Sequence, residues 1–368
     1  MTVDNAKVRR PRPPGLADVA ARAGVSASLV SRVVRGDETI RVRDETRARV
    51  LAAAEELGYV PHLLARNLRT SRAGALGLVV HDVSNPIYAE IIRGAQRAVG
   101  RAESVLLLVD AEAITDQAAL VKIAGGGRVD GLLWQMAGQA ELDSWVMAAA
   151  RYVPVVLVNS RAEGDLPGVH LDDAGAVHLA MRHLLDLGHE RIGFVAGARG
   201  LDVAERRRTA YRECLDTAGI RRRAGWEVDG GWDPGSGHDA TTRLLAASPT
   251  VTAVLVTNAL VATGAVTAAY EAGLGVPDDL SVVAIHDLWF AERLTPPLTV
   301  VRLPLQEMGE RAVDLLLTED GSGRPADVTI TAPCAELVER ASTAPPPAAR
   351  PVASSVARTA RRQKGSSR

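Results

Sequence analysis

Short, continuous apolar runs recur along most of the chain and alternate with segments of helical periodicity. These runs of β-branched residues and leucine span residues 75–80, 104–109, 129–134, 153–158, 191–197, 252–257 and 280–285. Strands that are apolar on both faces are typical of parallel sheets covered by helices on either side. The pattern therefore predicts a doubly wound α/β architecture, and its length of about 265 residues predicts two lobes.

The first sixty residues have a different pattern, in which apolar positions lie three and four residues apart. Helices are predicted over residues 17–23, 26–35 and 44–57, with Ser26 and Asp44 as N-caps. Their apolar faces are expected to form one small core from Leu16, Val19, Ala20, Val25, Leu29, Val30, Val33, Val50, Leu51, Ala54 and Leu57. The turn at Gly24 joins the first two helices as in a helix-turn-helix motif.

Three further segments have too little apolar surface to fold alone. Residues 1–14 are rich in proline and arginine, and residues 341–368 consist mostly of proline, alanine, serine and arginine. Both are expected to be disordered basic segments. Residues 61–73 are interpreted as a hinge between a helical domain at 15–60 and a core at 74–340.

Charge is distributed unevenly, although the net formal charge is only −1. Residues 1–72 carry 14 Lys and Arg against 8 Asp and Glu, and residues 341–368 carry 6 against none. Residues 73–340, in contrast, carry 23 against 36. A basic N-terminal module beside an acidic core indicates that the N-terminal module contacts a polyanion such as DNA.

Cysteine content and hydropathy argue against several classes of protein. Cys214 and Cys334 are the only cysteines, which argues against a disulfide framework or a zinc cluster and fits a reducing cytoplasm. The N-terminus lacks the apolar segment of a secretory signal, and no run approaches about 18 apolar residues, so no membrane association is expected. Motifs for a phosphate loop, a metal site or a nucleophile elbow are also missing, so we expect no enzyme activity, no metal and no cofactor.

Several long motifs, in order along the chain, carry a family resemblance. They read LADVAARAGVSASLVSRVVRG, VRDETRARVLAAAEELGYVPHLLARNLRT, LGLVVHDVSNPIYAEIIRGAQRAV, LLDLGHERIGFVAG, GVPDDLSVVAIHD and LTPPLTVVRLPLQEMG. Over about residues 15–340 the chain resembles the lactose-repressor (LacI) family of transcriptional regulators.

The resemblance implies a helix-turn-helix DNA-binding domain, a hinge helix and a two-lobed core like that of a periplasmic sugar-binding protein. Lobe 1 would contain about residues 74–172 and 303–330, and lobe 2 about residues 173–302 and 331–340. The implied function is that of a sequence-specific repressor whose operator affinity is controlled allosterically by a small-molecule effector, expected to be a sugar. Its implied partners are a palindromic double-stranded operator and a second copy of the chain, as a dimer or within a tetramer, on the cytoplasmic nucleoid.

The resemblance also assigns residues that contact DNA. These are Ser26, Ala27, Ser28, Ser31, Arg32, Arg35, Arg66, Leu68 and Arg69. Arg32 is the expected chief reader of bases because a guanidinium can pair bidentately with guanine, while Ala27 and Ser28 offer smaller contacts. In the hinge, Leu68 is expected to insert between base pairs in the minor groove. The remaining serines and arginines are expected to contact phosphates.

Loops at the carboxyl ends of strands supply the implied effector site. Its residues are His81, Asp82, Tyr88, Asn159, Arg207, Trp232, Asn258, His286 and Asp287. Carboxylates and amides pair with hydroxyls, arginine offers a planar fork and an indole offers an apolar face, which together favour a sugar. A nucleobase and a phosphorylated metabolite are the alternative effectors. His286 and Ala259 replace aspartates common in the family, which indicates an effector different from that of closer members.

Two other functions are compatible with a two-lobed α/β core. A transport-type solute-binding protein would share that core but would carry a secretory signal and lack residues 15–72. A sugar-modifying enzyme would need a nucleophile, a metal or a phosphate loop, none of which the sequence suggests.

Overall fold

The chain divides into an N-terminal unit that ends at Arg72 and a core unit that begins at Ala73. The computed structural model describes residues 12, 14–37, 39–59, 72–114, 116–136, 140–161, 166–318 and 327–347.

The described residues of the N-terminal unit contain three short helices: α1 (Leu16–Ala23), α2 (Ala27–Val34) and α3 (Asp44–Glu56). Gly24, with a φ of 65°, ends α1 in the left-handed conformation that glycine adopts without strain. The Ser26 hydroxyl then accepts a hydrogen bond from the backbone N–H of Leu29 and caps α2, as the sequence predicts. The prediction that Asp44 caps α3 is wrong, because Arg43 is the N-cap. Asp44 lies in the first turn, where its negative charge interacts favourably with the positive end of the helix dipole.

A small apolar core joins these helices, centred on Val19, Val30, Val33 and Val50. The prediction that Leu51 belongs to this core is wrong, because its side chain is 48% exposed. Each helical residue is rotated by about 100° from the previous one, so a helix that turns Val50 and Ala54 inward directs position 51 outward.

The core unit is built on two six-stranded sheets. In chain order, the first sheet contains β1 (Ala75–Val80), β2 (Val105–Asp110), β3 (Gly131–Trp134), β4 (Val155–Val158), β5 (Gly168–Leu171) and β11 (Val328–Ile330). Its spatial order is β11-β5-β4-β3-β1-β2, and all its strand pairs are parallel.

The second sheet contains β6 (Ile192–Ala196), β7 (Glu227–Asp229), β8 (Ala253–Val256), β9 (Ser281–Ile285), β10 (Thr299–Arg302) and β12 (Glu336–Val338). Its spatial order is β12-β10-β9-β8-β6-β7, with β12 antiparallel to β10 and the other pairs parallel. All seven strands predicted from the apolar runs are present among the described residues, together with five further strands of three or four residues.

Helices cover both sheets. The helices of the first lobe are α4 (Ile87–Arg101), α5 (Gln117–Ala124), α6 (Ala140–Ala149) and α11 (Leu305–Thr318). Those of the second lobe are α7 (Asp173–Asp186), α8 (Asp202–Thr217), α9 (Pro234–Ala247) and α10 (Ala259–Glu271). The chain therefore passes between the lobes three times, after β5, after β10 and after β11.

Glycines allow one pair of helices in each lobe to cross closely. In the first lobe, a Cβ atom on Gly94 of α4 would lie 1.8 Å from the carbonyl oxygen of Gln306 of α11. In the second lobe, a Cβ atom on Gly264 of α10 would lie 1.8 Å from the carbonyl oxygen of Pro234 of α9. No side chain other than hydrogen fits at either crossing without a shift of backbone.

The expectation of a disordered tail from residue 341 is wrong for residues 341–347. Ser342 is fully buried, donates through its hydroxyl to the Val282 carbonyl at 2.6 Å and accepts from the Thr299 N–H at 2.8 Å. The backbone N–H of Ala344 donates to the Ser281 hydroxyl at 3.0 Å. This segment therefore extends the second lobe beyond residue 340. Within the part of the chain that the structure describes, no helix is both long and apolar enough to span a membrane.

Candidate functional site

A cavity of about 370 Å³ lies between the two lobes of the core unit. This volume is near the lower end of the roughly 300–1,000 Å³ typical of small-molecule sites. Eight of the nine residues expected to bind an effector line it: His81, Asp82, Tyr88, Asn159, Arg207, Trp232, Asn258 and His286. Most of them follow the carboxyl ends of parallel strands, which meet at the same edge of each sheet.

Asp287 is not among the residues that line the cavity, so its predicted place there is wrong. Its carboxylate pairs with Arg302 at 2.6 Å and with Arg340 at 2.8 Å. His286, directly before it, has a φ of 72°, a backbone conformation that residues other than glycine adopt rarely. We infer that the ion pairs of Asp287 hold the chain in this strained turn, which sends the neighbouring side chain to the cavity.

Arg207 is buried and most of its donors are used within the protein. Its guanidinium pairs with the fully buried Asp173 through Nε at 2.8 Å and Nη2 at 2.6 Å. Nη1 donates to the Thr257 carbonyl at 2.5 Å, and Nη2 lies 3.0 Å from His286 Nε2. The guanidinium expected to bind a ligand therefore uses most of its N–H groups on protein acceptors, and few remain for a ligand in the cavity.

The His286 ring is held neutral. Complete burial, and secondarily the charge of Arg207, lower its pKa well below the ordinary histidine value of 6.5. Because a guanidinium only donates, Nε2 accepts the hydrogen bond from Arg207, and the single ring proton lies on Nδ1. Nδ1 is buried without a hydrogen-bond partner among the described residues.

Arg206, which is not among the residues predicted from the sequence, connects the two lobes. Its Nε donates to Asp202 at 3.0 Å, and its Nη1 lies 2.7 Å from Asp173, both in the second lobe. In the first lobe it donates to the Leu171 carbonyl at 3.2 Å and to Asn159 Oδ1 at 3.3 Å. The triple arginine motif therefore contains two arginines that share Asp173, and one of them spans the first crossing.

Two aromatic residues shape the cavity. Trp232 is half-buried, and its ring packs against Gly197, where a Cβ atom would lie 2.4 Å from the indole. The glycine thus makes room for a flat apolar wall. The Tyr88 hydroxyl donates to Gln135, and burial of the ring raises the pKa of this phenol, so it remains protonated.

Further polar residues that were not predicted from the sequence also line the cavity: Asn85, Gln135, Asp202 and Asp233. Asn85 was within reach of sequence reasoning, because it lies in the same loop after β1 as His81 and Asp82. Among the described residues, no group of histidine, cysteine, aspartate and glutamate has the arrangement of metal ligands.

In the N-terminal unit, the side chains expected to contact DNA cluster at the start and outer face of α2. Ser26, Ala27, Ser28, Arg32 and Arg35 are exposed, and Ser31 is half-buried. Arg35 donates to both the carbonyl and the hydroxyl of Ser31. The hinge residues Arg66, Leu68 and Arg69 lie outside the described residues.

Arg32 is held in place by the loop after α2. Its Nε donates to Asp37 at 2.8 Å, and its Nη2 donates to the Thr39 hydroxyl at 3.1 Å. Hydrogen bonds from Thr39, and then from Arg32, lower the pKa of Asp37 to about 2. The carboxylate therefore stays charged at any physiological pH and orients the guanidinium.

Comparison with known proteins agrees with this two-part organisation. Residues 15–62 match the model for bacterial regulatory proteins of the lacI family, and residues 181–343 match that for a periplasmic binding protein-like domain. The chain is 34% identical over 333 residues to the HTH-type transcriptional repressor PurR of Erwinia tasmaniensis, covering 90% of this chain and 97% of that protein.

Two further relatives extend the comparison. The ribose operon repressor of Escherichia coli K12 is 33% identical over 304 residues, which cover 82% of this chain and 91% of the repressor. The solved complex of the transcriptional regulator CelR with cellobiose is 29% identical with a TM-score of 0.67, and the match covers 89% of this chain and 99% of that one. Both of these curated relatives are named as repressors. The chain described here is a member of the LacI family of transcriptional regulators.

Proposed function

We propose that this regulator binds a neutral sugar between its two lobes and that binding changes its affinity for a palindromic operator. The lining of the cavity carries this proposal. Amides and carboxylates surround it beside the indole of Trp232, and among the described lining residues the one guanidinium, Arg207, is already paired with Asp173. A phosphorylated or otherwise strongly anionic ligand would meet carboxylates without a free cation to offset them.

The comparisons support a carbohydrate as the effector. One similar structure holds cellobiose, and one similar repressor is named for a ribose operon. Hydroxyl groups both donate and accept, so they suit a site that mixes amide, carboxylate and imidazole groups. Trp232 would support the apolar face of a sugar ring.

For DNA, we propose that Arg32 reads a base in the major groove, with smaller base contacts from Ala27 and Ser28. The proposed phosphate contacts come from Ser26, Ser31 and Arg35. Asp37 and Thr39 hold the Arg32 guanidinium before DNA arrives, which lowers the entropy lost on binding. Leu68 is proposed as the minor-groove wedge, with Arg66 and Arg69 on phosphates. The protein would act as a homodimer, because a palindrome matches the two-fold axis of a dimer, and in the cytoplasm, where it reaches the chromosome.

Ligand control follows from linkage between lobe orientation and ligand occupancy. A ligand that touches both lobes favours one relative orientation over the other, and any state of the dimer coupled to that orientation shifts with it. Arg206 provides a contact that such a rotation would change, since it bonds to both lobes beside the cavity.

The direct test is a gel shift on the DNA upstream of the gene itself, with and without cellobiose, ribose and the common hexoses. We expect saturable, sequence-specific binding that is weakened or strengthened by at least one sugar, by roughly 5- to 150-fold for typical allosteric coupling. Binding that no sugar alters would contradict the sugar assignment.

The base-reading role has its own test in Arg32→Ala. We expect this variant to lose its preference for the operator over random DNA while it keeps most of its non-specific affinity, because phosphate contacts remain. An equal loss on operator and on random DNA would show that Arg32 contacts only the backbone. Both titrations are repeated at two salt concentrations, since phosphate contacts alone give the salt dependence.

A further inference from the structure

Three buried asparagines line the cavity, and the side-chain oxygen of each is occupied by a backbone N–H. Asn85 Oδ1 accepts from Ile87 at 3.2 Å, Asn159 Oδ1 from Leu171 at 3.0 Å, and Asn258 Oδ1 from Val261 at 2.8 Å. Because a backbone N–H only donates, these bonds fix the orientation of each amide. Each oxygen has already used at least one of its two lone pairs, whereas the amide nitrogen has two hydrogens, so the nitrogen is the end that each asparagine mainly offers to a ligand.

The basic groups beside these asparagines have the same polarity. The Arg207 guanidinium can only donate, and His286 uses its one acceptor, Nε2, on Arg207. Asn159 Oδ1 receives a second hydrogen bond, from Arg206, which further commits this oxygen. The buried part of the lining thus offers mainly hydrogen-bond donors, although the amide side chains by type can both donate and accept.

The more exposed part of the lining has the opposite polarity. Asp82 and Asp202 are half-buried and Asp233 is exposed. Each uses one oxygen within the protein: Asp82 Oδ1 accepts from Ser84, Asp202 Oδ2 from Arg206, and Asp233 Oδ1 from Ser236. A carboxylate has two oxygens, so each of the three can also accept a hydrogen bond from a ligand.

We propose that the cavity is polarised, with a donor lining at Asn85, Asn159 and Asn258 and an acceptor lining at Asp82, Asp202 and Asp233. The effector, taken as a neutral sugar as proposed above, places oxygens that act as acceptors against the asparagines and hydroxyls that act as donors against the aspartates. One sugar orientation is selected, and amino sugars with an ammonium group against the asparagines are rejected. An ammonium only donates, so it would leave buried donors facing each other.

The test uses isothermal titration calorimetry on the full chain. The sugar that binds most tightly among glucose, galactose, mannose, ribose and cellobiose is compared with its mono-amino-deoxy analogues, each of which has one hydroxyl replaced by an amine. We expect two groups of analogues: those with the amine against the asparagines bind at least about tenfold more weakly than the parent sugar, and those with the amine against the aspartates do not.

The decisive variant is Asn258→Asp, which changes one donor into an acceptor while aspartate still caps α10. We expect it to bind the parent sugar about tenfold more weakly and to improve binding of at least one rejected amino analogue about tenfold. A merely structural defect would weaken both ligands together. The matched control is Asp116→Asn at the N-cap of α5, outside the cavity, where the carboxylate accepts from the Ala119 N–H.

Each outcome has a separate meaning. If wild-type protein binds every amino analogue as tightly as the parent sugar, or if Asn258→Asp leaves the ratio of affinities unchanged, the polarity is wrong while the sugar assignment stands. If the wild-type chain binds none of the five sugars, the sugar assignment fails and the polarity inference fails with it.

Discussion

Arg207 lines the cavity and also stabilises the interior of the second lobe. Its buried guanidinium neutralises Asp173 and occupies the Thr257 carbonyl and the His286 ring. Removing one partner of a buried ion pair typically costs about 3–5 kcal/mol. We therefore expect Arg207→Ala to lower the free energy of unfolding by up to that amount in urea denaturation, since Asp173 keeps its ion pair with Arg206. The control is Arg199→Ala, whose partner Asp229 lies on the surface and whose loss should cost about 1 kcal/mol or less.

If Arg207→Ala unfolds at the same urea concentration as Arg199→Ala, the guanidinium contributes no more than a surface ion pair. A loss of effector response in this variant would then be attributable to the ligand site alone. The expected destabilisation instead means that a loss of response in Arg207→Ala cannot be assigned to ligand contact without a stability measurement.

Buried histidines predict how stability depends on pH. Desolvation by burial is the main cause that lowers the pKa of His170, His189 and His286 below 6.5 in the folded chain. Below pH 6.5 the unfolded chain therefore binds protons that the folded chain does not, so stability falls as the pH falls. Each histidine contributes at most about 1.4 kcal/mol per pH unit. Urea unfolding of the wild-type chain between pH 7.5 and 5.5 should show this loss.

The matched variant for this prediction is His286→Gln, which keeps an acceptor for Arg207 but does not titrate. We expect a shallower loss of stability with falling pH than in the wild-type chain. An unchanged slope would show that His286 takes up no proton on unfolding in this range.

At the residue scale, the sequence locates the cavity better than it describes its chemistry. The loops after β1, β4, β8 and β9 were predicted to contribute because parallel strands end at one edge of a sheet. The direction of a side chain in such a loop depends on local φ and on neighbouring charges, which is why His286 reaches the cavity and Asp287 does not. Whether an amide presents its oxygen or its nitrogen depends on tertiary hydrogen bonds that have no sequence signature.

At the element scale, the close helix crossings make glycine a positional requirement. In α4, a Cβ atom on Gly94 would overlap the Gln306 carbonyl of α11, whereas a Cβ atom on Gly100 would meet nothing within 4 Å. We expect Gly94→Ala to force the helices apart and to lower the thermal midpoint of unfolding by several degrees or more. Gly100→Ala should instead be neutral or stabilise by about 0.5–1 kcal/mol, because alanine favours a helix.

The melting temperatures of both variants are measured by circular dichroism. The expected changes in melting temperature have opposite signs, so the two variants are readily distinguished. Equal melting temperatures for Gly94→Ala and Gly100→Ala would show that α4 and α11 can separate at no cost. The same reasoning applies to Gly264 in the second lobe, where the opposing atom is again a backbone carbonyl oxygen.

Elements were predictable where a periodic pattern continues and unpredictable where a few hydrogen bonds decide. Each apolar run forms a strand. Because both faces of these strands are buried, almost every position is apolar and the run is easy to recognise in the sequence. Residues 341–347 resemble a linker in composition, yet Ser342 completes hydrogen bonds of Val282 and Thr299 in the second sheet. The predicted N-cap of α3, Asp44, is one residue away from the observed N-cap, Arg43. This difference is set by backbone conformation, which the amino-acid composition does not reveal.

At the scale of the whole molecule, β2 is an exposed edge of the first sheet. Val105, Leu107 and Leu108 on this strand are each more than 40% exposed. Natural proteins rarely leave an apolar edge strand uncovered, because it pairs readily with other chains. This surface is therefore our candidate for part of the interface of the proposed homodimer.

The prediction is that a double substitution, Leu107→Asp with Leu108→Asp, converts the dimer into a monomer. Two carboxylates at a closed interface would repel their symmetry mates and lose hydration, so sedimentation velocity at micromolar concentration should show a single-chain mass. Affinity for the upstream DNA should fall by about 100-fold or more, since each monomer then binds one half-site without help from the other. Tyr270→Asp is the matched control, because Tyr270 is also exposed and lies on α10 in the second lobe. A double variant that remains dimeric and binds DNA as tightly as Tyr270→Asp would place the interface elsewhere on the core unit.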